Sequence, residues 1–159
     1  MKNQEIIALA NELKNRHGLF NWRISFNNRK GSFGLCSYSK REIQLSSMFI
    51  PFMSDESIKD TIIHEIAHAL TEGHGHDYTW QRKCVELGGK PNRIGGAEKF
   101  KNGEKGELEF CRVISKYTLT CPTCGHKAYI NRMPKRDCSC SEHGRGYNPI
   151  HKMVITQNY

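Results

Sequence analysis

Residues 61–80 read TIIHEIAHALTEGHGHDYTW, with four histidines close to Glu65. On a helix, residues four apart project from one face, so His64 and His68 can reach a single ion. Glu65 lies one position round, close enough to touch water at that ion but badly placed to be a third ligand. This is the H-E-x-x-H arrangement, in which two neutral imidazoles hold Zn²⁺ and the glutamate takes a proton from the attacking water. A catalytic zinc wants three protein ligands and one open position. Two candidates for the third follow. His74 falls at the spacing of a longer three-histidine pattern, but that pattern needs a glycine at position 71, and this chain has Thr71. His76 leads into the next helix and can point back at the ion.

A second group of donors lies near the C-terminus, in CPTCGHKAYINRMPKRDCSCSEH. Cys121-x₂-Cys124-Gly is a tight knuckle that aims two thiolates at one point. Fifteen residues on comes Cys140-x₂-His143, which completes the C-x₂-C…C-x₂-H spacing of a zinc ribbon. Cys138 competes for the third place, but Cys138-x-Cys140 is poor spacing for two ligands in one knuckle. Four ligands close a site, so this zinc is expected to be structural. In so short a module, metal binding supplies much of the folding free energy. His126 and His151 read as ordinary surface residues.

The elements needed to position these donors are legible around them. Ile6, Ile7, Leu9, Ala10 and Leu13 form a helical stripe over residues 1–17, ended by Gly18. Trp22, Ile24 and Phe26 alternate as in a half-buried strand. Gly31 and Gly34 mark a turn, after which residues 34–38 and 42–45 can pair, giving a small antiparallel sheet or meander. The metal helix starts at Ser54, a good N-cap, with Asp55 and Glu56 in its first turn. Ile58, Ile62, Ile66 and Ala69 form its buried face, and it can continue through Glu72 to a left-handed cap at Gly73. A further helix covers about residues 77–87, with Trp80, Cys84 and Leu87 on one stripe. Residues 88–108 are rich in Gly and Lys and read as a flexible connector.

The fold class is therefore α+β: a metalloprotease-type domain over residues 1–110, then a small β-rich zinc ribbon over residues 111–159. Apolar residues make up 37% of the 159, lean for one large core, so part of the chain is expected to be held by something else. Seven cysteines, four of them clustered, point to metal binding in a reducing compartment rather than disulfides. No apolar run approaches membrane-helix length and the first residues form no signal-peptide core, so a cytoplasmic protein without membrane contact is expected, nuclear if the cell is eukaryotic. Residues 112–159 hold eight Lys/Arg against Asp137 and Glu142, so six of the eight net positive charges lie there. A small basic module with zinc ligands suggests a nucleic-acid partner.

HEIAHALTEGHGHDYTW resembles the SprT-like family of metalloproteases, whose third histidine follows a glycine-rich turn and precedes an aromatic residue by four positions. The resemblance makes His76 the third ligand and Trp80 the aromatic. Many members have Gly-Pro after that histidine, where this chain has Asp77-Tyr78. Residues 20–46 are similar to the family's short sheet, and a zinc ribbon often follows the protease domain. The resemblance implies a zinc endopeptidase with Glu65 as base, a catalytic and a structural zinc, and a ribbon that binds DNA, single-stranded or damaged. Lys127, Arg132, Lys135 and Arg136 would neutralise phosphates, while Tyr117 and Tyr147 could stack on bases and Tyr129 reads as ribbon core. Substrates would be proteins bound or crosslinked to DNA, and a monomer is favoured. The competing reading is a nucleic-acid-binding zinc protein whose histidine site is not proteolytic. A three-histidine endoribonuclease is weaker, having no need for Glu65.

Overall fold

The stripe of Ile6, Ala10 and Leu13 is buried along one face of helix α1 (Asn3–Arg16). Strands β1 (Arg23–Asn27), β2 (Gly34–Ser37) and β3 (Glu42–Ser46) form a sheet in the order β1-β3-β2. β2 and β3 pair antiparallel, as the sequence suggests, but β1 runs parallel to β3 with Arg23 opposite Glu42. The sheet is mixed rather than a meander. β3 carries the buried Ile43 and Leu45 and takes the centre, which leaves β2 at an edge. Gly34 is not a turn residue: it opens β2, opposite Leu45.

Helix α2 (Asp55–Leu70) begins at Ser54, whose Oγ accepts the Ser57 N–H at 3.1 Å. Ile58, Ile62, Ile63, Ile66 and Ala67 are its buried apolar residues, whereas Ala69, expected among them, is half-buried. The helix stops short of Glu72. Thr71 donates its hydroxyl to the Ala67 carbonyl at 2.7 Å and leaves the helical region, and Gly73 follows at φ +85°. Helix α3 (Tyr78–Glu86) starts five residues after Gly73, its first turn capped by Asp77, which accepts the Trp80 N–H at 3.1 Å. Trp80 and Cys84 are fully buried against Ala67, with Leu87 packed beside them.

The computed structural model describes residues 1–92 and 99–159, in two units, Met1–Glu107 and Leu108–Tyr159. Residues 93–98 of the expected connector lie outside the described residues. Its last part is helical: residues 104–108 open helix α4 (Glu104–Ile114), with Glu104 and Glu107 in the first turn, where the helix dipole favours negative charge. In the second unit, β4 (Tyr117–Thr120) is central between β5 (Lys127–Ile130) and β6 (Val154–Gln157), and both pairings are antiparallel. Its core is Leu119, Cys121, Cys140 and Met153, with Tyr117, Ala128 and Ile130 against it. Strand alternation puts Ala128 and Ile130 on that face and Tyr129 on the other, so Tyr117 rather than Tyr129 serves the core. Among the described residues, no helix is long and apolar enough to cross a membrane.

Candidate metal centres

His64 and His68 stand one turn apart on α2, and the early end of that helix lets the 71–77 turn swing His76 back between them. The His76 Nε2 lies 3.1 Å from the His64 Nε2 and 3.2 Å from the His68 Nε2. Ligands arranged tetrahedrally about one ion at zinc–nitrogen distances would be about 3.3 Å apart, so the donors fit such an ion. Burial, then repulsion from the neighbouring imidazoles, pushes His64 down to about 3 and, with His76 as the repelling neighbour, His68 down to about 4. Both rings are thus neutral at pH 7 with lone pairs available, as metal binding requires. His68 is also oriented from behind by a hydrogen bond to the His74 backbone carbonyl. His74 itself stays outside the cluster, its exposed ring bonded through Nδ1 to Asp77 Oδ2 at 2.7 Å.

The indole of Trp80 is the floor of this cluster. Its centroid is 4.7 Å from His64, 5.1 Å from His68 and 4.6 Å from His76, and its ring stacks on that of His68 at 25°. One buried aromatic therefore limits the freedom of all three imidazoles. Tyr38, just beyond β2, donates its hydroxyl to the His68 carbonyl at 3.2 Å and ties the sheet to the last turn of α2.

Glu65 is only 6% exposed, an unusual state for a carboxylate. Burial pushes it up to about 8, a rise only partly offset by the Cys36 backbone N–H donating to it. Cys36 is pushed up to about 12, first by burial and then by the negative charges of Glu65 and Glu72, so its thiol stays protonated. The imidazoles, Glu65 and the β2 residues Gly34 and Cys36 line a cavity of about 620 Å³. Gly34 and Cys36 were not singled out in the sequence as site residues. The signal that could have found them is the glycine inside a strand, which often marks a close approach.

In the second unit, the ligand atoms of Cys121, Cys124, Cys140 and His143 all lie within 4.8 Å of one another. The Cys124 and Cys140 sulfurs are 3.8 Å apart, which is about the separation of two thiolates on a tetrahedral zinc. Gly125, at φ +76°, lets the first knuckle close, with its N–H on the Cys121 carbonyl at 2.9 Å. Cys138 is outside this set and packs against the core. His151 is more than a surface residue. It stacks on His143 with centroids 3.8 Å apart at 14°, its Nδ1 lies 3.0 Å from the Thr123 hydroxyl, and its carbonyl accepts the Cys140 N–H. Lys127, Arg132, Lys135 and Arg136 are all exposed, as is Tyr147.

The model of the SprT-like family matches residues 3–98, more than half of the chain. This chain belongs to the SprT-like family. Membership, together with two donor sets suited to zinc, supports a zinc metallopeptidase. At the position where many members carry Gly-Pro, this SprT-like chain uses Asp77 to cap α3. A similar solved structure is the metallopeptidase zymogen jannalysin of Methanocaldococcus jannaschii, with 16% identity and a TM-score of 0.47, covering 72% of this chain and 99% of that one. No curated protein matches the chain in sequence.

Proposed function

We propose that this protein is a zinc-dependent endopeptidase that cuts proteins bound or crosslinked to DNA, with its cysteine unit as the DNA-binding element. The observation that carries the reading is the buried Glu65 beside three converging imidazoles at the wall of an open cavity. His64, His68 and His76 would hold the catalytic ion, and Cys121, Cys124, Cys140 and His143 a structural one. Zn²⁺ bound by three protein ligands supplies a Lewis acid that polarises a peptide carbonyl and makes water easier to deprotonate.

The remaining work falls to the protein's own groups. Glu65 takes a proton from the attacking water and hands it to the departing amine. Trp80 and Tyr38 keep the imidazoles in place while this happens. β2 is an edge strand on the cavity, and its outward backbone groups other than the Cys36 N–H, which Glu65 takes, can hold an extended peptide as a further strand. Recognition of backbone rather than side chains suits an enzyme that meets many different proteins on DNA. The exposed cations of the second unit would bring it there, single-stranded or damaged DNA being the expected form and the monomer the working state, in the cytoplasm or, in a eukaryote, the nucleus.

The test is cleavage of a DNA-bound basic protein by wild type and by Glu65→Gln, each with and without single-stranded DNA. Cutting that needs both Glu65 and DNA is the expected result. DNA binding without any cutting, in a protein loaded with two zinc ions, would instead make this a nucleic-acid-binding zinc protein.

A further inference from the structure

β2 faces the metal helix with an arrangement that the hydrolytic reading leaves unused. A Cβ built on Gly34 would lie 2.7 Å from the Glu65 Oε1, 2.8 Å from its Cγ and 3.0 Å from its Cδ. The φ of Gly34 lies outside the left-handed range, so its backbone does not require glycine and only the space does. Two residues on, the Cys36 N–H donates to the Glu65 carboxylate. The register shows why that amide is available. The Ser46 N–H donates to the Phe33 carbonyl at 2.8 Å, so in an antiparallel pair the alternate residues Gly34 and Cys36 turn their backbone groups away from β3. They face the open edge, and Glu65 takes up the position there.

We propose that the β2 edge is a positioning device for the general base: Gly34 is glycine to make room for the Glu65 side chain, and the outward amide of Cys36 sets the direction of its carboxylate. Gly34 and Cys36 are positioning residues, acting through Glu65. The inference rests on Glu65 being the base, and it accounts for how a buried carboxylate keeps one orientation. Glu65 is the first group that has to yield to a methyl group at position 34, because the three heavy atoms nearest to it all belong to that side chain. A defect at Gly34 should therefore look like a defect in the base rather than in metal binding or folding.

Two readouts separate this inference from the functional reading. The first is independent of activity: amide exchange at Cys36 in the metal-free and zinc-loaded protein. Its N–H has no partner on β3, so its protection depends on Glu65. Gly34→Ala should speed its exchange at least about tenfold relative to Leu35, and Glu65→Ala should do the same with Gly34 untouched, which covers the case of an alanine at 34 that folds badly. The second readout is kinetic, taken once Glu65→Gln has been shown to slow cutting to a low, measurable rate. Gly34→Ala should then lower kcat by about 10²-fold with KM and zinc content unchanged. Added to Glu65→Gln, it should cost nothing more. Gly31→Ala, at a position where a Cβ meets nothing within 4 Å, should leave kcat as in the wild type. Unchanged Cys36 exchange in both variants, a loss confined to KM, or a loss that multiplies with that of Glu65→Gln would overturn the proposal.

Discussion

Two of the three histidine donors stand on a helix whose other side is built into a core of Ile58, Ile62, Ile66 and Ala67, over the fully buried Trp80. The cysteine donors hang on two turns around a core of four buried residues, and two of those four are Cys121 and Cys140 themselves. One centre is shaped by packing that exists without metal. The other supplies half of its own core, so removing the ion removes the reason for its chain to collapse. Ligand count follows the same division: three donors beside a cavity keep a position open for chemistry, whereas four donors close a site.

The largest effect expected from this difference is on folding. A strong chelator should unfold strands β4, β5 and β6 while the amides of α2 stay protected, which residue-resolved hydrogen exchange with and without chelator will show. Persistence of the β4–β6 amides in metal-free protein would remove the contrast. Next in size is Glu65→Gln, which should lower cleavage by roughly 10²–10⁴-fold while metal content and thermal stability stay close to the wild type. A matched loss of zinc would mean that the residue serves the ion rather than the reaction.

The same contrast explains what could be read from the chain. His64, Glu65 and His68 are legible because helical periodicity is local, and Cys121 and Cys124 because a knuckle spans four residues. Ser54 at the head of α2 and the apolar stripe of α3 were legible for the same reason. The choice between His74 and His76 depends on where α2 stops, and the Thr71 hydroxyl on the Ala67 carbonyl ends it earlier than Gly73 alone suggests. Parallel pairing of β1 with β3 joins residues about twenty apart, and no local pattern encodes it. Gly34 looked like a turn signal because glycine is mostly read through φ, whereas here it answers to a carboxylate thirty-one positions away. The stacking of His151 on His143 was invisible in the same way, being a contact across a loop with no period.

Trp80→Ala tests whether the histidine centre is truly preformed by packing. The substitution removes a fully buried aromatic and should cost about 3–5 kcal/mol in chemical denaturation of the first unit, measured on metal-free protein. Zinc in the cysteine unit should be unaffected. A small cost would mean that the imidazoles are held by something other than their floor.

Acidity gives a subtler signature, again for metal-free protein. His64 and His68 have folded values of about 3 and about 4 against an ordinary 6.5, so between those limits the unfolded chain binds more protons and stability falls as pH drops below 6.5. Glu65 works the other way. Its value rises from 4.5 to about 8, so the folded form holds the extra proton and stability falls as pH climbs from 4.5 towards 8. With two histidines opposing one glutamate, the sum peaks near pH 6.5 and declines on both sides. Urea denaturation across this range should show that maximum in the first unit, and Glu65→Gln should flatten the alkaline side and steepen the rise between pH 4.5 and 6.5. Retention of the alkaline decline in Glu65→Gln would place its source elsewhere.

The smallest expected effect concerns the surface of the cysteine unit. Lys127, Arg132, Lys135 and Arg136 are exposed, so neutralising them one at a time should leave its fold and zinc intact. Each that meets a phosphate should weaken single-stranded DNA binding modestly, whatever the base sequence, and reduce the salt slope of log K by about 0.7. Loss of affinity without a change in slope would assign that residue to something other than a phosphate. Tyr147, exposed at 54%, supplies the matching control: Tyr147→Ala should lower affinity at every salt concentration while leaving the slope alone, because stacking releases no counterions. If the lysines, the arginines and the tyrosine all leave binding unchanged, the DNA contact lies elsewhere. The contrast would then rest on metal alone, with the cysteine unit a structural appendage of the histidine one.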